Sequence, residues 1–343
     1  MKQTLLTLAI LFAVMVDAQD THYSQFYNSP LTLNPALTGL TKGALRFGAI
    51  YRNQWFSGVN NGFFNSPYQT PSVFIDAPIH VKNDAIGVGG LFLYDRAGAG
   101  SFSTFQGQVS LSYIKSLGRN GNHQISAGFQ VGYTQTRINQ QDLRLTSQFD
   151  NNNQFTANPV SFALSPNIGY VNLNVGLLYY GKMTDAISMY IGGAFFNATG
   201  MKYNLATNNE KRELYFRGNG QAGFDFRFGK FHLLPSALFM QQAKADQLNT
   251  GLGFGYDFTE NANMTLGIYN RANNISNKYR QLDAIIPYAG FEVKGFKLGL
   301  SYDFTLSRFK EAGNTNGALE LSLMYIIMPK RSDFNRVMFC PRF

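Results

Sequence analysis

Charge is what this chain has least of. Asp, Glu, Lys and Arg make up 14% of its 343 residues, where a soluble globular domain carries about 25%. That scarcity argues against an ordinary cytosolic enzyme. Cysteine occurs once, which excludes an internal disulfide framework and any zinc site built on cysteines. The four histidines, His22, His80, His123 and His232, are scattered. They form no His-Glu-x-x-His and no i,i+4 pair that would hold a metal. No Gly-x-Ser-x-Gly surrounds a serine nucleophile. The net charge of +9 is spread along the chain, with no Lys/Arg cluster interleaved with aromatics, so no nucleic-acid footprint is present. Such a charge suits a surface that meets anionic lipid headgroups. After residue 19 no apolar run reaches 18 residues, so no helical membrane span is expected.

Aromatic residues are abundant, at 15% with 31 Phe and 19 Tyr, and glycine reaches 34. They recur along the whole length, which argues against disorder. The N-terminus has the form of a secretory signal peptide over residues 1–18. Lys2 supplies the positive start, Leu5 to Val16 an apolar stretch, and Val16-Asp17-Ala18 a cleavage site before Gln19. Gln19 is not a cysteine, so no lipoprotein anchor is indicated. An exported, aromatic, glycine-rich chain without helical spans is either a secreted β protein or a transmembrane β-barrel.

The remainder alternates with period two. Phe105, Gly107, Val109, Leu111 and Tyr113 interleave with Gln106, Gln108, Ser110 and Ser112. Phe296, Leu298, Leu300, Tyr302 and Phe304 interleave with Lys297, Gly299, Ser301, Asp303 and Thr305. A strand places such sets on opposite faces, whereas a helix would scatter the apolar set around its axis. Segments of this kind fall at 44–54, 70–79, 85–96, 103–116, 123–136, 166–181, 186–198, 215–228, 231–243, 248–258, 263–272, 282–293, 296–308 and 317–328. Their number is even, and their length suits tilted membrane strands. Connections after even-numbered segments are short. Those after odd-numbered ones tend to be long, notably 137–165 and 199–214, with an exception near 244–247. Short periplasmic turns and long outer loops give this parity.

The Phe/Leu/Tyr face is therefore assigned to lipid. Arg46, Gln106, Gln108, Gln130, Asp225, Arg227, Asp257, Lys297 and Asp303 are assigned to the interior. A soluble lipocalin-like barrel would reverse the faces, and its usual eight strands would leave much of this chain unused. The inward charges either line a channel or form ion pairs that close the barrel. Gly87-Val88-Gly89-Gly90 suggests close backbone approach or curvature. No helix follows to make it a phosphate loop, and no cofactor is expected. Residues 19–43 carry Pro30 and Pro35 among aromatic and polar residues. They form either a plug packed in the lumen or a periplasmic leader. Pro329 ends the last strand and leaves a periplasmic tail over 329–343.

Three blocks carry a family resemblance. The first is Ser24-Gln25-Phe26-Tyr27-Asn28-Ser29-Pro30-Leu31 followed by Leu33-Asn34-Pro35-Ala36-Leu37-Thr38-Gly39. The second is Tyr51-Arg52-Asn53-Gln54-Trp55, and the third is the ending Cys340-Pro341-Arg342-Phe343. Together they resemble the PorP/SprF family, type IX secretion system membrane proteins of Bacteroidetes bacteria. The resemblance implies an outer-membrane barrel without enzymatic activity that serves protein export and gliding motility. It implies partners too: a large cargo adhesin bearing a C-terminal sorting domain, and the translocon or periplasmic components of the system. Asn34, Pro35, Tyr51, Arg52, Asn53, Gln54, Trp55, Cys340, Pro341, Arg342 and Phe343 would then be family-motif positions, structural or docking.

The expectation is an all-β chain, a transmembrane outer-membrane β-barrel of about 14 antiparallel strands and FadL-like size, with an N-terminal luminal or periplasmic segment. The barrel occupies 44–328. Asn151, Asn152, Asn153, Gln154 and Phe155 in the longest loop are the candidate partner-binding surface, or else a solvated loop. The alternative function is an outer-membrane channel or hydrophobic-ligand transporter. A third reading, an outer-membrane lipase, would need Ser126 and His123 to act together.

Overall fold

The computed structural model describes residues 20–55, 68–97, 102–118, 122–139, 167–200, 202–204, 211–274, 280–307 and 317–328. The predicted signal peptide, the candidate loop around Asn151–Phe155 and the tail with Cys340 to Phe343 lie outside these residues.

Fourteen of the sixteen described strands close into one antiparallel barrel. They are β1 (Leu45–Gln54), β2 (Tyr68–Val81), β3 (Asp84–Ala97), β4 (Phe102–Leu117), β5 (His123–Arg137), β6 (Asn167–Lys182), β7 (Ile187–Phe196), β10 (Arg217–Phe228), β11 (Phe231–Gln242), β12 (Ala245–Thr259), β13 (Ala262–Asn274), β14 (Arg280–Val293), β15 (Phe296–Thr305) and β16 (Ala318–Ile327). The remaining two, β8 (Lys202–Asn204) and β9 (Lys211–Glu213), pair with each other in the connection from β7 to β10. Each barrel strand pairs with its sequence neighbours. β1 closes the ring on β16, in register from Leu45 opposite Ile327 to Gln54 opposite Ala318. Closure leaves no free sheet edge, the condition for a β structure to sit in hydrocarbon. Among the described residues no helix is long and apolar enough to cross a membrane.

All fourteen expected strands are present, and the face assignment holds. Outward residues are large, apolar and exposed: Phe92 58%, Val109 63%, Leu177 63% and Ile268 64%. A continuous exposed apolar band of this kind belongs against lipid. Inward positions are polar and buried, among them Arg46, Gln108, Gln130 and Asp303. One inward assignment is corrected. Arg227 keeps the inward parity but sits beyond the packed lumen, exposed at the rim, where it donates to the Gly229 carbonyl.

The connection parity also holds. Lys82-Asn83, Gly229-Lys230, Glu260-Asn261 and Lys294-Gly295 are two-residue turns at one end of the barrel. Lys294 (φ 47°) and Gly295 (φ 85°) are both left-handed, the geometry that matches the twist of two antiparallel strands. At the other end only Ala243-Lys244, the anticipated exception, is equally tight.

Candidate functional site: the filled lumen

Residues 20–41 lie inside the barrel. They enter at the long-connection end, where Asp20 accepts hydrogen bonds from Asn197 (2.8 Å) and Gln242 (3.1 Å). They leave at the short-turn end, where Lys42 pairs with Glu292 at 2.6 Å. Of the two readings left open by the sequence, the luminal one describes the structure.

Local chemistry shapes this segment. It turns tightly at Phe26–Asn28, then at Pro30–Leu33 and Pro35–Leu37, and each proline stands at a first helical position that needs no N–H partner. Asn34 caps the last turn by accepting from the Ala36 N–H at 2.8 Å. Its amide nitrogen donates to the Leu177 and Gly193 carbonyls of β6 and β7, both at 3.1 Å. Barrel side chains answer the backbone carbonyls that the short turns leave over: Ser126 to Ala36 (2.6 Å), Ser112 to Thr38 (2.6 Å) and Asn219 to Leu33 (3.0 Å). The segment also presses on bare backbone. A Cβ at Gly87 would overlap the Thr38 carbonyl, and one at Gly128 would overlap the backbone of Pro35 and Ala36.

Two buried ionic anchors fix its ends. At the short-turn end, Arg46 makes a two-point contact with Asp76 (2.8 and 2.6 Å) and donates to the Leu37 carbonyl at 3.1 Å. Asp76 in turn accepts the Gly39 N–H at 2.6 Å. At the long-connection end, the Glu320 carboxylate accepts the N–H groups of Ser24 (2.7 Å) and Gln25 (2.8 Å) and pairs with Arg52. Asp303 joins Arg52 (3.0 Å), Arg271 (2.9 Å) and the Ser24 hydroxyl (2.8 Å). Arg271 reaches on to Asp283 at 2.8 Å. Buried charges are tolerable when they are paired and carry further hydrogen bonds, and both anchors satisfy that condition. Between the anchors the rings of Phe26, Tyr27, Tyr269 and Tyr288 pack with centroids 5.1–6.4 Å apart, edge to face except for Tyr27 and Tyr269, which are tilted at 32°. Arg46, Asp76, Arg52, Arg271, Asp283, Asp303 and Glu320 therefore form buried ion pairs that hold the segment in the lumen.

Above this filling, at the long-connection mouth, a cavity of about 430 Å³ remains. Its floor includes Thr21, His22, Arg52 and Arg271, and its wall includes Gln54, Trp55 and Tyr68. Trp55 follows the end of β1 with φ 60°, a left-handed backbone that costs an L residue roughly 1–2 kcal/mol. Its N–H donates to the Gly317 carbonyl at 2.7 Å, and its ring lies 4.7 Å from that of Tyr68, edge on.

The motif positions thus serve different ends. Asn34, Pro35 and Arg52 hold the luminal segment, while Gln54 and Trp55 line the cavity. Tyr51 is exposed on the outward face, and Asn53 shares that register. The structure does not bring Ser126 and His123 together. Ser126 is bonded to Ala36, and His123 contacts the Tyr179 hydroxyl at 2.7 Å. Sequence reasoning missed His232, which is buried between Asp225 (2.7 Å) and Asp257 (3.0 Å) on neighbouring strands. Their shared inward parity was the available signal. Among the described residues no cluster of His, Cys, Asp and Glu fits a metal ion.

A family model described as type IX secretion system membrane protein PorP/SprF matches residues 15–325. No curated protein matches the sequence. Among solved structures, the CymD monoaromatic hydrocarbon channel shares 12% identity over 88% of this chain and 93% of its own, with a TM-score of 0.50. The Ralstonia pickettii toluene transporter TbuX shares 11% over 88% and 94%, with a TM-score of 0.49. A Pseudomonas aeruginosa FadL homologue shares 11% over 85% and 92%, with a TM-score of 0.45. At 12% identity the likeness to CymD shows a common barrel fold alone.

Proposed function

The chain belongs to the PorP/SprF family of type IX secretion system membrane proteins, and from that premise we propose that it is a non-enzymatic accessory barrel of that system in the outer membrane. Residues 1–18 direct its export. It assists export and surface attachment of a large cargo protein by receiving the cargo's C-terminal sorting domain, and it serves gliding motility where that cargo is an adhesin. Translocon or periplasmic components are its other partners. The observation that carries this reading is the filled lumen. A barrel closed by its own N-terminal segment through two buried ionic anchors is a rigid platform for its loops.

The competing reading, a channel or hydrophobic-ligand transporter, needs a path through that filling. A pull-down of the tagged protein from outer membranes in mild detergent, with mass spectrometry, tests the proposal. Recovery of a protein bearing a sorting domain, or of translocon subunits, supports it. Recovery of the barrel alone from several detergents, together with a stable open conductance in a planar bilayer, overturns it in favour of the channel.

A further inference from the structure

We propose that the cavity at the long-connection mouth is a binding site for a neutral, hydroxyl-rich ligand of the sugar class. Its volume, about 430 Å³, falls in the range of small-molecule sites, roughly 300–1,000 Å³. The lining narrows the chemistry by elimination. Both guanidinium groups on the floor, Arg52 and Arg271, are engaged by Asp303, Glu320 and Asp283. An anionic ligand would have to displace those buried carboxylates. A hydrocarbon would cover the amides of Gln54 and Asn273 and the hydroxyl of Thr305 without answering them, and buried polar groups left unpaired are costly. The carboxylates of the lining are likewise already held, Asp283 by Arg271, Asp20 by Asn197 and Gln242, and Asp95 by the Thr70 hydroxyl, so a cationic side chain would have to compete for them.

A sugar ring satisfies what is left. Its hydroxyls donate to and accept from amides and hydroxyls alike, and its C–H face packs on aromatic rings. The aromatic surface is in place and held there. Trp55 keeps a left-handed backbone, fixed by its bond to Gly317, with Tyr68 packed edge on against its ring. Strain of this kind persists where surrounding structure enforces it, and it concentrates at ligand-contacting positions. Gln54, Asn273 and Thr305 line the same wall, amide and hydroxyl groups of the kind that sugar hydroxyls pair with.

The chain has a single tryptophan, so its fluorescence reports on this cavity alone. The full-length protein in nanodiscs is titrated with maltose, cellobiose and lactose. Parallel titrations use a synthetic glycolipid carrying the same headgroup, toluene, and tri-lysine. The expected result is a saturable change with a free disaccharide, matched by calorimetry. It should weaken about tenfold or more in Gln54→Ala and Asn273→Ala, and stay unchanged in Val109→Ala on the lipid face. Heat-modifiable migration on gels confirms that each variant is folded. A response confined to the glycolipid supports the same chemistry and identifies a lipid-borne source. No response to any sugar overturns the proposal. So does a response to toluene or tri-lysine alone, or one that the two wall variants leave untouched.

Discussion

Arg46 on β1 and Asp76 on β2 are register partners across the ladder, and the pair that they form also grips the luminal segment. Arg46 holds the Leu37 carbonyl and Asp76 the Gly39 N–H. One ion pair thus ties the barrel wall to the point where the N-terminal segment leaves the lumen. Asp76→Ala would take the carboxylate away from the buried Arg46 guanidinium, a loss of about 3–5 kcal/mol. We expect a lower urea midpoint and flickering conductance in planar bilayers as the segment loosens. A silent, wild-type-stable variant would show that the anchor holds nothing.

The close backbone contacts predict a sharper contrast between glycines. A methyl group at Gly128 would overlap Pro35 and Ala36, whereas nothing lies within 4 Å of a Cβ placed at Gly220. Gly128→Ala should displace the luminal segment and open it to chymotrypsin in detergent at Tyr23, Phe26 and Tyr27, all buried in the packed lumen. Gly220→Ala should keep wild-type resistance. Equal resistance of the two variants would contradict the packed arrangement.

How much of this the sequence made legible follows from which interactions are local. Alternation is a property of neighbouring residues, so all fourteen barrel strands and their faces could be read directly. The short β8–β9 pair, three residues a strand, carries too little alternation to stand out. The prolines marked residues 19–43 as ordered and outside the ladder, but not where they pack. That depends on Gln130, Asn219 and Glu320, which are 99, 186 and 296 positions away from the residues they hold. Likewise Asp303 could be placed on the inward face, but its pairing with both Arg52 and Arg271 needed the closed ring.

The longest connection carries the proposed partner surface, at Asn151–Phe155. Deleting residues 140–160 should leave insertion and heat-modifiable migration intact, because a loop on a closed barrel contributes little to its ladder. Surface display of the cargo, measured by antibody labelling of whole cells, should fall several-fold. Undiminished display by an inserted, abundant deletion variant would remove this loop from the cargo pathway.

The path of the luminal segment fixes a topology that labelling can read. Asp20 lies at the long-connection end, and Lys42 at the short-turn end. In barrels of this kind short turns face the periplasm. The chain therefore reaches the outer end of the lumen with the first residues of the segment, descends through it, and only then begins β1. A cysteine placed by Thr21→Cys, in a Cys340→Ser background, should react with a membrane-impermeant maleimide added to intact cells, through the cavity that Thr21 floors. Lys42→Cys should react only after the outer membrane is permeabilised. Both variants should stay folded, since Thr21 is half-buried and Lys42 is exposed. The reverse pattern would invert the barrel in the membrane. It would also place the aromatic cavity on the periplasmic side, where no ligand from outside the cell could reach it.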